Sequence, residues 1–285
     1  MIIAGLITIA KHSKAAQLDI NISFIVFQFL SRFHRVEFTF IGKVFIVIFW
    51  MSYPRASIGK SGTEKMDIVA GGGKYGSFAA DFLRRKGRSF AVVDINPSCL
   101  AAREFTLKSA TRIEREGEYF VRGDLSTVLD LLATANAEFV FPTVPTHLAA
   151  DLARIKFSLQ PWIERIDNVL PYMPQTVVVK ADEGSLVATF NKGHKCLDKC
   201  SMPEVCPSSG FKKPCTMTEL MRSAAPDAFF LLSHSMAPGL GALKVVNLTQ
   251  FLDYAKKKRR FVVATTCDCH GVLTAMQKCD SESGV

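Results

Sequence analysis

The chain has 285 residues, a formal net charge of +9 and 48% hydrophobic residues. That length gives room for one large domain or two small ones, and the apolar content suits a globular protein with a sizeable core. The charge is local. Residues 1–65 hold eight Lys/Arg against three Asp/Glu, the run Lys256-Lys257-Lys258-Arg259-Arg260 adds five, and the rest sums to −1. A near-neutral body excludes a general polyanion-binding surface, so nucleic acid is not an expected partner. The basic run follows the helix-like spacing of Leu248, Phe251, Leu252 and Ala255, where cations suit a helix C-terminus.

Residues 1–65 carry eight of the 22 Phe and two apolar stretches, 20–30 and 38–53. The first is too short to span a bilayer, and the second is short and interrupted by Lys43. No small-residue cleavage site follows a charged start, so a signal peptide is not expected. Three readings stay open: a membrane-associated segment, a mis-assigned start ahead of a true first residue at Met66, or an extra packed element. Met66 lies directly before the first strand pattern, which favours the second.

Residues 66–96 read as strand, glycine turn, helix, strand and acid. Ile68, Val69 and Ala70 lead into Gly71-Gly72-Gly73-Lys74-Tyr75-Gly76. A helix with Phe78, Phe82 and Leu83 on one face ends at Gly87, and Phe90-Ala91-Val92-Val93 delivers Asp94. This is the Gly-x-Gly-x-x-Gly pattern between a strand and a helix. Gly71 permits a tight turn, Gly73 lets backbone approach a pyrophosphate, and Gly76 lets helix and strand pack closely. The helix N-terminus favours phosphate, and a carboxylate at Asp94 suits ribose hydroxyls and favours NAD over NADP. The alternation continues through a short helix at 100–104 and a strand at 119–122 that runs into Gly123-Asp124. A helix at 126–135, a strand at 138–144 and a helix at 146–157 follow. Short alternating strands and helices imply a parallel sheet with right-handed crossovers.

The glycine turn, Val92-Val93-Asp94 and Val121-Arg122-Gly123-Asp124-Leu125 together resemble the nucleotide-binding N domain of the RCK (TrkA-N) family, the NAD-binding regulators of potassium transport. The resemblance covers about residues 66–157. It implies NAD(H) bound by Gly71, Gly73, Lys74, Tyr75, Gly76, Asp94 and Asp124. It also implies a membrane transporter as a candidate partner. The family's C-terminal ligand-binding domain is not recognisable downstream.

After residue 157 the texture changes. Pro161, Pro171 and Pro174 read as a linker, 176–180 and 186–190 as a β-hairpin, and 229–233 as a strand before the turn Gly239-Leu240-Gly241. A helix at 247–257 and a β-branched strand at 261–266 follow, and residues 272–278 read as helix-like. Cys196-x3-Cys200-x5-Cys206 places three thiols in a Lys-, Pro- and Gly-rich loop. Cys215 follows, and Cys267-x-Cys269-His270 stands where a strand ends. Thiolates so spaced can converge on one soft metal. Three loop cysteines with one remote cysteine suit a [4Fe–4S] cluster better than zinc, which usually shows two close pairs. Zinc and plain thiols stay open. The metal candidates are therefore Cys196, Cys200, Cys206, Cys215, Cys267 and Cys269. Cys99 and Cys279 suit small buried hydrophobes, and His194 and His234 suit structural roles. No Ser-His-Asp or paired-carboxylate arrangement stands out.

The expected fold is α/β: a Rossmann-type parallel sheet over 66–157 and a smaller Cys-bearing α/β region over 158–285, whose strands are free to dock onto the first sheet. The expected function is NAD(H) binding beside a Cys-ligated, redox-linked metal. The alternative is a nucleotide-sensing subunit of potassium transport without catalysis. A hydride carries two electrons and an Fe–S centre one, so direct exchange needs a flavin or a redox partner. Grouped, reduced cysteines point to the cytoplasm, with membrane association through residues 1–65 and a homodimer as further candidates.

Overall fold

The computed structural model describes residues 35–41, 44–50, 65–111, 113 and 116–279. The chain divides into two units, Met1–Gly62 and Thr63–Val285. In the first, strands β1 (Arg35–Ile41) and β2 (Val44–Trp50) form an antiparallel pair, in register from Arg35↔Trp50 to Ile41↔Val44. The apolar stretch at 20–30 lies outside the described residues. Among the described residues no helix is long and apolar enough to cross a membrane.

The second unit begins with β3 (Met66–Ala70), buried along its whole length. That burial explains its continuous apolar run: a central parallel strand is covered on both faces. Helix α1 (Lys74–Arg85) returns the chain to β4 (Ser89–Asp94). The short helix α2 (Leu100–Glu104) and the two-residue β5 (Lys108–Ser109) precede β6 (Glu118–Arg122). Helix α3 (Leu125–Thr134), β7 (Ala137–Pro142) and α4 (Leu148–Phe157) complete the alternation. Side by side the strands run β7-β3-β4-β6-β5, all parallel. The four main strands thus have the 4-1-2-3 order of a mononucleotide-binding half, with its crevice at the carboxyl ends.

The linker expected after residue 157 is structured. It holds β8 (Leu159–Pro161), α5 (Ile163–Val169) and a 3-10 turn at Leu170–Tyr172. Hairpin strands β9 (Val178–Asp182) and β10 (Ser185–Thr189) follow, then the cysteine loop, and then α6 (Met217–Ala224). Strand β11 (Phe229–Leu232) leads into β12 (His234–Ala237) and β13 (Leu240–Lys244). This second hairpin joins the first sheet, with β13 antiparallel to β7. Helix α7 (Val245–Lys257) then leads to β14 (Arg260–Thr266) and β15 (His270–Lys278). The helix expected at 272–278 is therefore a strand. It lies between β14 and β10 in a sheet ordered β11-β14-β15-β10-β9. Consecutive residues Leu273, Thr274, Ala275 and Met276 are all buried, so two covered faces erase the alternation that marks a strand.

Helices α4 and α7 lie between the two sheets. One apolar cluster joins Ile68 and Val140 of the first sheet to Leu152 of α4, Phe251 of α7 and Val263 of β14. A second covers the far face of the second sheet, with Met217 and Met221 of α6 against Leu186 and Leu273. The fold is thus α/β, as expected. Docking of the β12–β13 hairpin makes the first sheet a product of both halves.

Candidate functional site

At the glycine turn, Gly71 has φ +103, a conformation that favours glycine. A side chain on Gly76 would stand 1.9 Å from the Gly71 carbonyl oxygen, and one on Gly72 would meet Cys99 Sγ at 2.3 Å. Gly73 instead faces open space, with no atom within 4 Å of where its Cβ would be. Gly73 caps α1 without a side-chain hydrogen bond, and the first turn contains no acid. The helix start therefore offers uncapped N–H groups and the positive end of a dipole.

Asp94 stands at the end of β4, but its carboxylate already serves the turn. One oxygen accepts the Gly72 N–H at 2.6 Å, and the other accepts the Asn96 N–H at 2.8 Å. Asp124 caps α3, accepting from the Ser126 N–H at 2.8 Å and its hydroxyl at 2.5 Å. Those bonds hold its carboxyl below the usual range. It borders an open recess of about 470 Å³ shared with Ile95, Arg122 and Thr127, at the carboxyl ends of β4 and β6. Lys74 turns the other way and pairs with both Asp198 oxygens, at 2.9 and 3.0 Å. Tyr75 is exposed beside it. The cysteine loop therefore reaches across to the start of α1.

The second sheet sets where that loop lies. Thr189 of β10 pairs with His270 of β15, so the chain leaves β10 next to the turn between β14 and β15. The Phe190 N–H donates to the Cys269 carbonyl at 3.1 Å, and the Cys267 N–H closes the turn on the His270 carbonyl at 2.9 Å. The Met217 N–H, at the start of α6, holds the Asp268 carbonyl at 3.0 Å. Thr216 and Glu219 form a reciprocal cap on that helix. Within the loop, Cys206 and Phe211 form a tight knuckle. The Cys206 N–H donates to the Phe211 carbonyl and the Gly210 N–H to the Cys206 carbonyl, each at 2.8 Å. Phe211 stacks on Phe190 at 5.8 Å.

Cys196, Cys200, Cys206 and Cys269 consequently line one small cavity of about 10 Å³. Their sulfurs collect donors. The Met202 N–H lies 3.3 Å from Cys200 Sγ, and Lys213 Nζ lies 3.3 Å from Cys269 Sγ. The Ser209 hydroxyl, with the Ser208 and Ser209 N–H groups, lowers the Cys206 pKa. Burial and the neighbouring Cys200 push the Cys196 thiol up. Burial also raises Cys269, against the pull of Lys213. Ser208 Oγ is buried without a partner beside this knuckle. Backbone N–H groups and a cation aimed at sulfur stabilise thiolate over thiol, the form that ligates metal. As thiolates, these four sulfurs are donors of the kind a soft metal takes. Among the described residues no three His, Cys, Asp or Glu side chains close tightly enough for a single ion.

The other candidates fall elsewhere. Cys215 packs against the α6 apolar cluster. Cys267 does not line the four-cysteine cavity; its sulfur is 3.8 Å from Nδ1 of His270, which does. Burial raises the Cys267 thiol and lowers the His270 imidazole. Cys99 is buried under the glycine turn, whereas Cys279 is exposed, against expectation. All eight cysteines are free. The Gly239 turn serves the loop: its N–H donates to the Cys200 carbonyl at 2.9 Å. Sequence reading missed Lys213, Ser208 and Ser209. Their signal was position alone, between Cys206 and Cys215 in a loop already singled out.

The comparisons bear on this geometry. Residues 66–148 match a family described as "Uncharacterized protein, N-terminal domain", and 148–279 match its "Uncharacterized protein, C-terminal domain". An "Uncharacterized protein" of Archaeoglobus fulgidus is 45% identical over 215 residues, which is 75% of this chain and 100% of the relative. No solved structure matches. The match over 66–148 overturns the resemblance to the RCK family, since the glycine turn and Gly123-Asp124 both lie in the N-terminal domain of a different family. Those motifs are shared physical solutions to a βαβ turn, so they do not by themselves fix a family. The chain belongs to the two-domain AF_1314 family.

Proposed function

We propose that this protein binds an NAD(H)-type nucleotide at the glycine turn and a metal on Cys196, Cys200, Cys206 and Cys269, as a redox-linked binding protein. One observation carries the reading. Thiols from two distant segments line one cavity with donors aimed at their sulfurs, and the same loop reaches the nucleotide turn through Lys74 and Asp198. The N–H groups at the start of α1 would receive phosphate. Asp94 holds the turn in shape, and its remaining lone pairs would accept ribose hydroxyls. Lys213 and the Cys206 knuckle would offset negative charge on the thiolates. An iron–sulfur cluster, when bound, supplies one-electron transfer. An all-thiolate set with one remote member favours it over zinc. A reducing cytoplasm and a protein electron partner complete the reading.

The test is anaerobic purification of the full chain, with iron, sulfide and zinc analysis and a visible spectrum before and after NADH. Iron, sulfide and a broad visible band that bleaches with reductant are expected. Stoichiometric zinc in a colourless protein would overturn the redox part, and absence of any bound metal would overturn the centre.

A further inference from the structure

A second cavity, of about 290 Å³, lies between Tyr75 at the start of α1 and the cysteine loop. Tyr75 of α1 borders it on one side, and Cys196 and Cys200, which also line the metal cavity, border it on the other. Its volume is at the lower end of the range of about 300–1,000 Å³ usual for ligand sites. That admits one ring system, not a whole dinucleotide.

The lining selects among rings. Leu197, Met202 and Leu240 supply apolar surface, and Met sulfur favours aromatic neighbours. Ser233, Ser235 and His270 supply hydrogen-bonding groups. No Lys or Arg lines the cavity, and its carboxylate, Asp198, is neutralised by Lys74. A carboxylate or phosphate would therefore enter unpaired, at high cost. This cavity shares no lining residue with the open recess at Asp124, and Tyr75 at the start of α1 is its link to the glycine turn.

We infer that this cavity binds an uncharged heteroaromatic ring bearing an amide or carbonyl, the class that includes the reduced nicotinamide, and holds it against Cys267 and His270. The inference rests on the nucleotide reading for where such a ring comes from. The cavity's chemistry also allows a free ring compound, and the test separates the two.

The full-length protein is titrated with NADH, with ADP-ribose, which keeps the adenine, riboses and phosphates but lacks the nicotinamide ring, and with free nicotinamide. Two variants narrow the cavity: Ala237→Phe on β12, and Leu197→Trp on the exposed loop, where folding is least at risk. The wild type is expected to bind NADH at least roughly tenfold tighter than ADP-ribose. Both variants should erase that preference and leave ADP-ribose affinity unchanged. Binding of free nicotinamide alongside ADP-ribose, lost in both variants, supports the cavity with a separate ring as its occupant. Nicotinamide binding without any ADP-ribose binding supports the cavity and overturns the nucleotide reading. ADP-ribose binding with no NADH preference and no nicotinamide binding overturns the cavity and leaves the nucleotide reading standing. A preference for NADH that survives both variants overturns the cavity as well.

Discussion

Asp94 braces the glycine turn and is the residue on which the proposed ribose contact rests. Its oxygens accept the Gly72 and Asn96 N–H groups, so Asp94→Ala takes the acceptor from both, the Gly72 donor of the glycine turn included. The expected loss is about 1–3 kcal/mol of stability together with NADH affinity. Asp94→Asn keeps one acceptor oxygen and is expected to retain most of the stability while weakening NADH. Thermal melts and NADH titration read the two effects separately. Equal affinity in Asp94→Asn and wild type would remove the ribose role. The cysteines make a sharper contrast. Cys269→Ser should lower bound metal, because Cys269 shares the cavity with the three loop thiols. Cys215→Ser should leave metal content unchanged, because that side chain packs with α6. Metal analysis of the two purified variants decides it, and the reverse pattern would reassign the fourth ligand. Six cysteines were legible as candidates from spacing. Which four converge depends on the Thr189↔His270 pairing, a long-range register that local spacing does not encode.

The elements most legible in the sequence are those whose apolar runs, β-branched residues and flanking glycines agree. The apolar runs of β3 and β4, the intervening helix and the glycines between them all point to the same unit, and the structure places it so. Strand β15 was obscured because it is covered on both faces and rich in residues that also favour helices. Helix α5 was obscured by flanking prolines, although Pro161 precedes it and Pro171 follows it. The turn between β12 and β13 looked like an ordinary glycine turn and is a support for the cysteine loop. Gly239 has φ +77, and a Cβ there would stand 2.0 Å from the Asp198 carbonyl oxygen. Gly239→Ala therefore combines left-handed backbone strain, about 1–2 kcal/mol, with a backbone clash. It should lower the melting temperature by at least about 2–4 °C. It should also raise the reactivity of Cys200 toward a thiol reagent in metal-free protein, since Gly239 holds the Cys200 carbonyl. An unchanged melt and unchanged thiol kinetics would show that the hairpin does not brace the loop.

At the scale of the whole second unit, the two sheets are joined by α4 and α7, and His147 marks the junction. It caps α4 from the first half of the chain, while its ring bridges side chains of β14 and β15 in the second sheet. Nδ1 is 2.8 Å from Thr274 Oγ1, and Nε2 is 2.9 Å from Thr265 Oγ1. Thr274 in turn bonds to Ser185 at 2.9 Å. Each hydroxyl can donate or accept, so the bonds suit either tautomer, and it is burial that favours the neutral ring. Burial pushes its pKa down to about 3 from 6.5. Between those two values the unfolded chain binds a proton that the folded protein excludes, so folding stability rises with pH in that window. The contribution is fully present above about pH 6.5 and is lost progressively as pH falls toward the folded value. His147→Gln keeps a donor and an acceptor but does not titrate there. It should be less stable than wild type at pH 7.5, with a gap that narrows as pH is lowered to 5. Urea midpoints of both proteins at pH 7.5, 6 and 5 give that gap directly, since every other titrating group is common to both. A gap that stays constant across the three values would mean that His147 is protonated without cost, and that the two sheets are not locked through a neutral ring.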